Sequence, residues 1–134
     1  MTTTTIDQAE LLLASSVINP ATVLDASAEI SYTRRMVHRE IHEALGALGP
    51  DTDDNLISEY RMALYYISEA TGDDWTSISY RLLNAALIIA RADETHDYLV
   101  RALTDASYLA RAIHNTHTAQ ADPTKTRAVA VAPF

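Results

Sequence analysis

The chain has 134 residues, a formal charge of −8 at neutral pH and no cysteine. That length suits one domain with a core of its own. The charge argues against non-specific nucleic-acid binding, which needs basic residues to displace counterions. The lack of cysteine excludes disulfides, thiolate metal sites and thiol nucleophiles. With no basic leader before an apolar run, and no uncharged run of spanning length in the central stretch, we expect no membrane segment. We expect a cytoplasmic or otherwise intracellular protein, including one from a virus assembled there.

The residues up to Leu48 predict two helices. One covers about 6–18, and Asn19 and Pro20 end it. The second covers about 20–48, because asparagine can cap a helix whose first turn accepts proline. We expect this second helix to bend or pause near 25–27. Its inward residues are predicted to be Ile30, Val37, Ile41, Leu45 and Leu48.

Two further helices follow acidic turns. The third is predicted over about 54–70, since the carboxylates of 51–55 favour a positive helix N-terminus. The fourth begins after Asp73 or Asp74, either of which can cap it, and continues to about residue 92. The inner residues of the third helix are predicted to be Ile57, Tyr60, Leu64 and Ile67.

The stretch 73–113 has the clearest periodicity of the chain. Its residues recur in alternating steps of three and four, the spacing that keeps one helix face against a partner. A single helix of this length would be roughly 60 Å long, so we predict a break at 93–95 and a fifth helix to about His114. The series comprises Trp75, Ile78, Leu82, Ala85, Ile89, Ala92, His96, Leu99, Leu103, Ala106, Ala110 and Ile113.

These elements predict an all-α fold. Short turns between helices of similar length favour antiparallel neighbours, and therefore an up-and-down bundle of four to five helices. We expect one helical domain over 1–114. An extended or flexible C-terminal tail is predicted over 115–134, where the helical pattern is lost.

Four carboxylates are predicted to meet at one end of this bundle. They form two i, i+3 pairs, one near the end of the second helix and one at the start of the fifth. Carboxylate oxygens are the ligands that Mg²⁺ prefers, so they are candidate metal ligands, with a solvated acidic rim as the alternative. The residues are Glu40, Glu43, Glu94 and Asp97.

The segments that hold these carboxylates resemble known motifs. Glu40-Ile41-His42-Glu43 and Glu94-Thr95-His96-Asp97 are similar to the ExxE and ExxD motifs of the all-α nucleotide pyrophosphohydrolases, the MazG and all-α dUTPase group. The resemblance implies a magnesium-dependent hydrolysis of a nucleoside triphosphate. In that family the two motifs lie on neighbouring helices, whereas two predicted helices separate them here.

Three other patterns are interpreted as structural. His38 and His42 have the i, i+4 spacing of a zinc-binding pair, but no third ligand is evident, so they are assigned to the surface or its boundary. His96-Asp97 is similar to the metal-binding dyad of HD-type phosphohydrolases but lacks a suitable later aspartate. The acidic turn at 51–55 starts like an EF-hand loop, yet residues 56 and 62 do not continue that motif.

The remaining candidates are apolar and aromatic residues that can contact another chain. Some lie outside the main stripes of their helices, and tyrosine is favoured at interfaces because its apolar ring carries a polar tip. The alternating valines and terminal phenylalanine of the tail can form an extended docking arm. The candidate interface residues are Tyr65, Tyr66, Leu83, Leu87, Val129, Val131 and Phe134.

These patterns together favour a non-catalytic protein-interaction or assembly subunit that self-associates. In this hypothesis the chain has no catalytic residues and no cofactor, its partners are proteins, and it binds neither nucleic acid nor membranes. One alternative is an acidic, antitoxin-like inhibitor that blocks a basic nucleic-acid-binding surface. The other is the magnesium-dependent pyrophosphohydrolase implied by the carboxylate motifs.

Overall fold

Four α-helices account for most of residues 17–121, the part of the chain that the computed structural model describes. Short 3-10 turns at Pro20–Thr22 and Glu94–His96 precede the first and last of these helices. The prediction of an all-α fold is confirmed. We label the helices α1 (Val23–Gly46), α2 (Asp54–Glu69), α3 (Trp75–Ala92) and α4 (Asp97–Ala121).

Each helix packs mainly against two others. Helix α1 contacts α2 and α4, and α3 contacts the same two helices. With short connections between successive helices, this pattern is that of an up-and-down four-helix bundle. The C-terminus of α1 and the N-terminus of α4 therefore lie at one end. The other end holds the N-terminus of α1 and the C-terminus of α4.

Side-chain caps fix where the helices begin. Asn19 accepts a hydrogen bond of 3.0 Å from the backbone N–H of Ala21, so the predicted cap is confirmed. The irregularity predicted at 25–27 lies earlier, in the 3-10 turn at Pro20–Thr22, and α1 is continuous from Val23. Asp53 and Asp74 cap α2 and α3 through backbone amides, which confirms their predicted role.

The core confirms the predicted 3-4 series. Nine of its twelve members are buried, and Trp75, Ala92 and His96 are half-buried. On α1, Ile30, Val37 and Ile41 are buried as predicted. The other predicted inner residues split between the two classes: Tyr60 and Ile67 are buried, while Leu45, Leu48, Ile57 and Leu64 are half-buried.

The predicted break between α3 and α4 is confirmed, and Asp93 makes it. Its backbone is extended (φ −158°, ψ 116°), so the α-helix cannot continue through it. Its Oδ1 accepts hydrogen bonds of 2.8 Å from both the backbone N–H and the hydroxyl of Thr95. These bonds cap the 3-10 turn at Glu94–His96 from which α4 starts.

Helix α4 continues seven residues past its predicted end at His114, so residues 115–121 are helical and do not belong to a tail. Thr116 and Ala119 are buried there, as is Ala112 just before it, although helical geometry places all three roughly opposite the bundle-facing stripe. The backbone N–H of Ile18 donates a 2.9 Å hydrogen bond to Thr116 Oγ1. The polar sequence of 115–121 did not predict this part of the helix, because the burial of its side chains depends on residues that are distant in the chain.

Other predictions about the chain ends fall mostly outside residues 17–121. The predicted helix over 6–18 does so except for Val17 and Ile18, which are buried but not helical. The part of the predicted tail after Ala121 also lies outside the described residues. Within the described part of the chain, no helix is long and apolar enough to cross a membrane.

Candidate functional site

The four candidate carboxylates lie toward one end of the bundle. The Tyr98 hydroxyl donates a 3.2 Å hydrogen bond to Glu40 Oε2, which shows that the last turns of α1 adjoin the start of α4. Glu43, Glu94 and Asp97 are exposed. Across residues 17–121, no group of three or more histidine, aspartate or glutamate side chains is placed to hold a metal ion. The magnesium site stays a prediction without a preformed set of ligands.

His96 packs within the turn between α3 and α4, where it contacts Asp93 and Tyr60. Its Nδ1 lies 3.4 Å from Asp93 Oδ2, and its ring meets Tyr60 edge-to-face at a centroid distance of 6.1 Å. Tyr60 also donates a hydrogen bond of 3.1 Å to Asp93. These contacts give the histidine of the His96-Asp97 pair a structural role.

A cluster of basic residues lies on the side of α1 that faces α2, and we call it the basic face. It consists of Arg34, Arg35, His38, Arg39 and His42. The rings of His38 and His42 stack at a centroid distance of 6.3 Å with an angle of 11° between their planes. The first four residues, together with Ser68 of α2, line a surface depression of about 240 Å³.

The basic face brings three arginines and two histidines together on a chain whose formal net charge is −8. Burial lowers the pKa of His38 below its ordinary value, and the neighbouring charges of His42 and Arg34 lower it further. Both salt bridges in the described part of the chain lie elsewhere, at Arg91 and His96. The three arginines of the basic face therefore have no carboxylate partner among residues 17–121.

Four large side chains are exposed on α2 and α3, two helices that pack together. We call them the apolar strip: Met62 and Tyr65 of α2, and Tyr80 and Leu87 of α3. Their exposed fractions are 48%, 58%, 64% and 55%, respectively. Tyr65, Met62, Ile57 and Arg61 also line a surface depression along α2.

The candidate interface residues divide between surface and interior. Tyr65 and Leu87 are exposed as the hypothesis requires, whereas Tyr66 and Leu83 are half-buried. Tyr66 packs on the core and meets the Tyr65 ring edge-to-face at a centroid distance of 5.8 Å. The Tyr66 ring therefore packs against both the core and the exposed Tyr65 ring. Val129, Val131 and Phe134 lie outside the described residues.

Sequence reasoning missed the basic face as a unit and Met62 of the apolar strip. The i, i+4 repeats that join Arg34 to His38 and Arg35 to Arg39 were an available signal for the first. Met62 carried no comparable signal, because an isolated apolar residue between stripes is common on helices.

The fold and these surfaces define a small helical bundle with a basic and an apolar patch. Comparisons with protein-family models, with curated proteins and with solved structures found no match to this chain.

Proposed function

We propose that this protein is a non-catalytic protein-interaction or assembly subunit that self-associates through the apolar strip. The observation that carries the proposal is the exposure of four large side chains on two adjacent helices, each at 48% or more. Single exposed apolar residues are ordinary on a monomer, whereas several on two helices that pack together suit a contact surface.

The tyrosines of the strip suit an interface. Tyrosine and methionine are enriched at protein contacts, since their side chains supply apolar area and adapt to a partner. The edge-to-face contact with Tyr66 restrains the Tyr65 ring, so less conformational entropy is lost when a partner covers it. Neither the Tyr65 nor the Tyr80 hydroxyl forms a hydrogen bond within residues 17–121, so both can bond to a partner.

The charges beside the strip favour a second copy of the chain as the partner. Glu59 and Arg91 form a salt bridge of 3.5 Å across α2 and α3. Arg81 donates a hydrogen bond of 2.8 Å to the backbone oxygen of Glu69. Two copies that meet through α2 and α3 therefore bring charges of both signs together. This contact avoids the net repulsion that an overall charge of −8 on each copy suggests.

The experiment is to measure molar mass against concentration for the full chain by sedimentation equilibrium, with Leu87→Asp as the test variant. Loss of one buried leucine contact costs about 1.5–3 kcal/mol, so we expect association to weaken by roughly 10-fold or more. Leu24→Asp is the matched control, because Leu24 is 84% exposed on α1, away from the strip. A native chain that stays monomeric at roughly 100 μM, or equal weakening by both variants, overturns the proposal.

Two alternatives stay predictions with their own tests. The acidic-inhibitor hypothesis rests on the net charge and on acidic clusters, of which Asp53 and Asp74 cap helices. It predicts a basic partner whose binding weakens steeply with salt. The pyrophosphohydrolase hypothesis predicts that magnesium raises the melting temperature saturably and that Glu43→Ala removes this rise.

A further inference from the structure

Helix α1 carries both carboxylates and basic residues. Glu40 lies toward α4, where it accepts a hydrogen bond from Tyr98. Arg34 and His38 lie toward α2, where they share a depression with Ser68. The basic face is thus a local concentration of positive charge on a chain with 18 acidic and 10 basic residues.

The arginines of this face are donors without acceptors in the described part of the chain. Arg34 and His38 are half-buried, and Arg35 and Arg39 are exposed. A guanidinium that lines a depression can form charge-assisted hydrogen bonds with an anion bound there. We therefore expect Arg34 to form the strongest hydrogen bonds with an anionic ligand.

The chemistry of the face selects an anion over a metal ion. The stacked pair His38 and His42 has the spacing of two zinc ligands, but Arg34 places a positive charge beside it and no third ligand completes it. Guanidinium groups bind phosphate and carboxylate oxygens in a two-pronged geometry. The Ser68 hydroxyl at the edge of the depression adds a neutral donor.

The size of the depression and the net charge select a compact anion. A volume of about 240 Å³ accommodates a phosphate group together with a small part of the molecule that carries it. A long polyanion would have to extend beyond the basic face over a surface whose net charge is negative, and would be repelled there. Contacts inside a small depression are screened less than such long-range forces.

We propose that the basic face of α1 is a binding site for the phosphate group of a small molecule, or for free phosphate, held by Arg34, Arg39 and Ser68. This site is separate from the apolar strip, so it stands or falls independently of the proposed self-association.

The test is calorimetric titration of the full chain with inorganic phosphate, pyrophosphate and glycerol phosphate, each against sodium chloride of equal ionic strength. We expect saturable binding that chloride does not reproduce. The double variant Arg34→Ala/Arg39→Ala is expected to weaken it by roughly 10-fold or more, since it removes two guanidinium groups that donate charge-assisted hydrogen bonds. Tighter binding of the ester than of free phosphate identifies a phosphorylated small molecule as the source, and the reverse identifies free phosphate.

The matched control is Arg101→Ala/Arg111→Ala, which removes two exposed arginines of α4 and is expected to leave binding unchanged. If the first double variant fails to fold, Arg34→Lys serves instead, because it keeps the charge but loses the two-pronged geometry; weakened binding is expected there too. Absence of saturable binding to all three anions overturns the proposal. Equal loss in the control variant does so as well.

Discussion

The Tyr60 hydroxyl donates a 3.1 Å hydrogen bond to Asp93 Oδ2 and so joins the buried side of α2 to the turn between α3 and α4. Tyr60 is 2% exposed, and Asp93 is also the cap of the following 3-10 turn. Asp93 therefore lies where α3 ends and caps the 3-10 turn that precedes α4. The same carboxylate accepts the hydrogen bond of the Tyr60 hydroxyl.

This relationship predicts energetic coupling between Tyr60 and Asp93. Tyr60→Phe should lower the free energy of unfolding by about 1 kcal/mol, and Asp93→Ala by more, because it also leaves the buried hydroxyl without an acceptor. A double-mutant cycle from denaturant unfolding should give a coupling of about 0.5–1.5 kcal/mol. Tyr98→Phe is the control, since its hydrogen bond to Glu40 is exposed and its loss should change stability by less than about 0.5 kcal/mol. Strict additivity of the two single changes would contradict the prediction.

The same hydroxyl predicts a pH dependence on the alkaline side. Burial, the hydrogen bond to Asp93 and the charge of Asp93 raise the pKa of Tyr60 from 10.0 to about 12. The pKa of Tyr60 is higher in the folded chain than in the unfolded chain. Its contribution to the free energy of unfolding is therefore fully present below pH 10 and is lost as pH rises toward about 12. Spectrophotometric titration of tyrosinate should show a group with a midpoint near 12 that Tyr60→Phe removes. A midpoint near 10 for every tyrosine would disprove this.

Thr116 is expected to fix the segment before α1. Its Oγ1 accepts from the Ile18 backbone N–H at 2.9 Å and donates to the Ala112 oxygen at 2.7 Å. Thr116→Val should cost about 1–3 kcal/mol, because it leaves the Ile18 N–H buried without an acceptor. Thr118→Val removes a similar bond to His114 at an exposed position and should change stability by less than about 0.5 kcal/mol. Thermal or denaturant unfolding of both variants measures the difference, and equal costs would refute the assignment.

His38 predicts a pH dependence on the acid side. Burial, then the charges of His42 and Arg34, lower its pKa below the ordinary value of 6.5. Since the pKa of His38 is lower in the folded chain than in the unfolded chain, the unfolded chain takes up the proton first as pH falls. The free energy of unfolding therefore decreases as pH falls below about 6.5. NMR titration of the histidine ring protons should place the His38 midpoint below 6.5. Arg34→Gln should raise it and Arg101→Gln should not; an unmoved midpoint in the first variant would contradict the assignment.

The helices were predictable because their signals are local. A 3-4 spacing identifies the buried side of α3 and α4 without knowledge of the partner. Asp53 and Asp74 carry their capping chemistry at the position where they act. The break at Asp93 was also predictable, since two acids and a threonine suit a helix start and an unbroken helix would be too long for the domain.

The tertiary contacts were not predictable for the same reason. Nothing near Tyr60 indicates that its hydroxyl has an acceptor 33 residues away. Thr116 looked like part of a polar tail because the residue that it bonds, Ile18, precedes it by 98 positions. The four carboxylates were predicted to lie at one end of the bundle, and the hydrogen bond from Tyr98 to Glu40 shows that α1 and α4 adjoin there.

The hydrogen bond between Ile18 and Thr116 also bears on the order of folding. The packing of α2 on α3 and of α3 on α4 joins neighbours in the sequence, so these hairpins close short loops at a small entropic cost. Docking of α1 and its preceding segment on α4 closes a loop that spans most of the domain. Because chains form local contacts faster than distant ones, we expect this docking to come late. Thr116→Val should therefore mainly accelerate unfolding and leave the folding rate nearly unchanged.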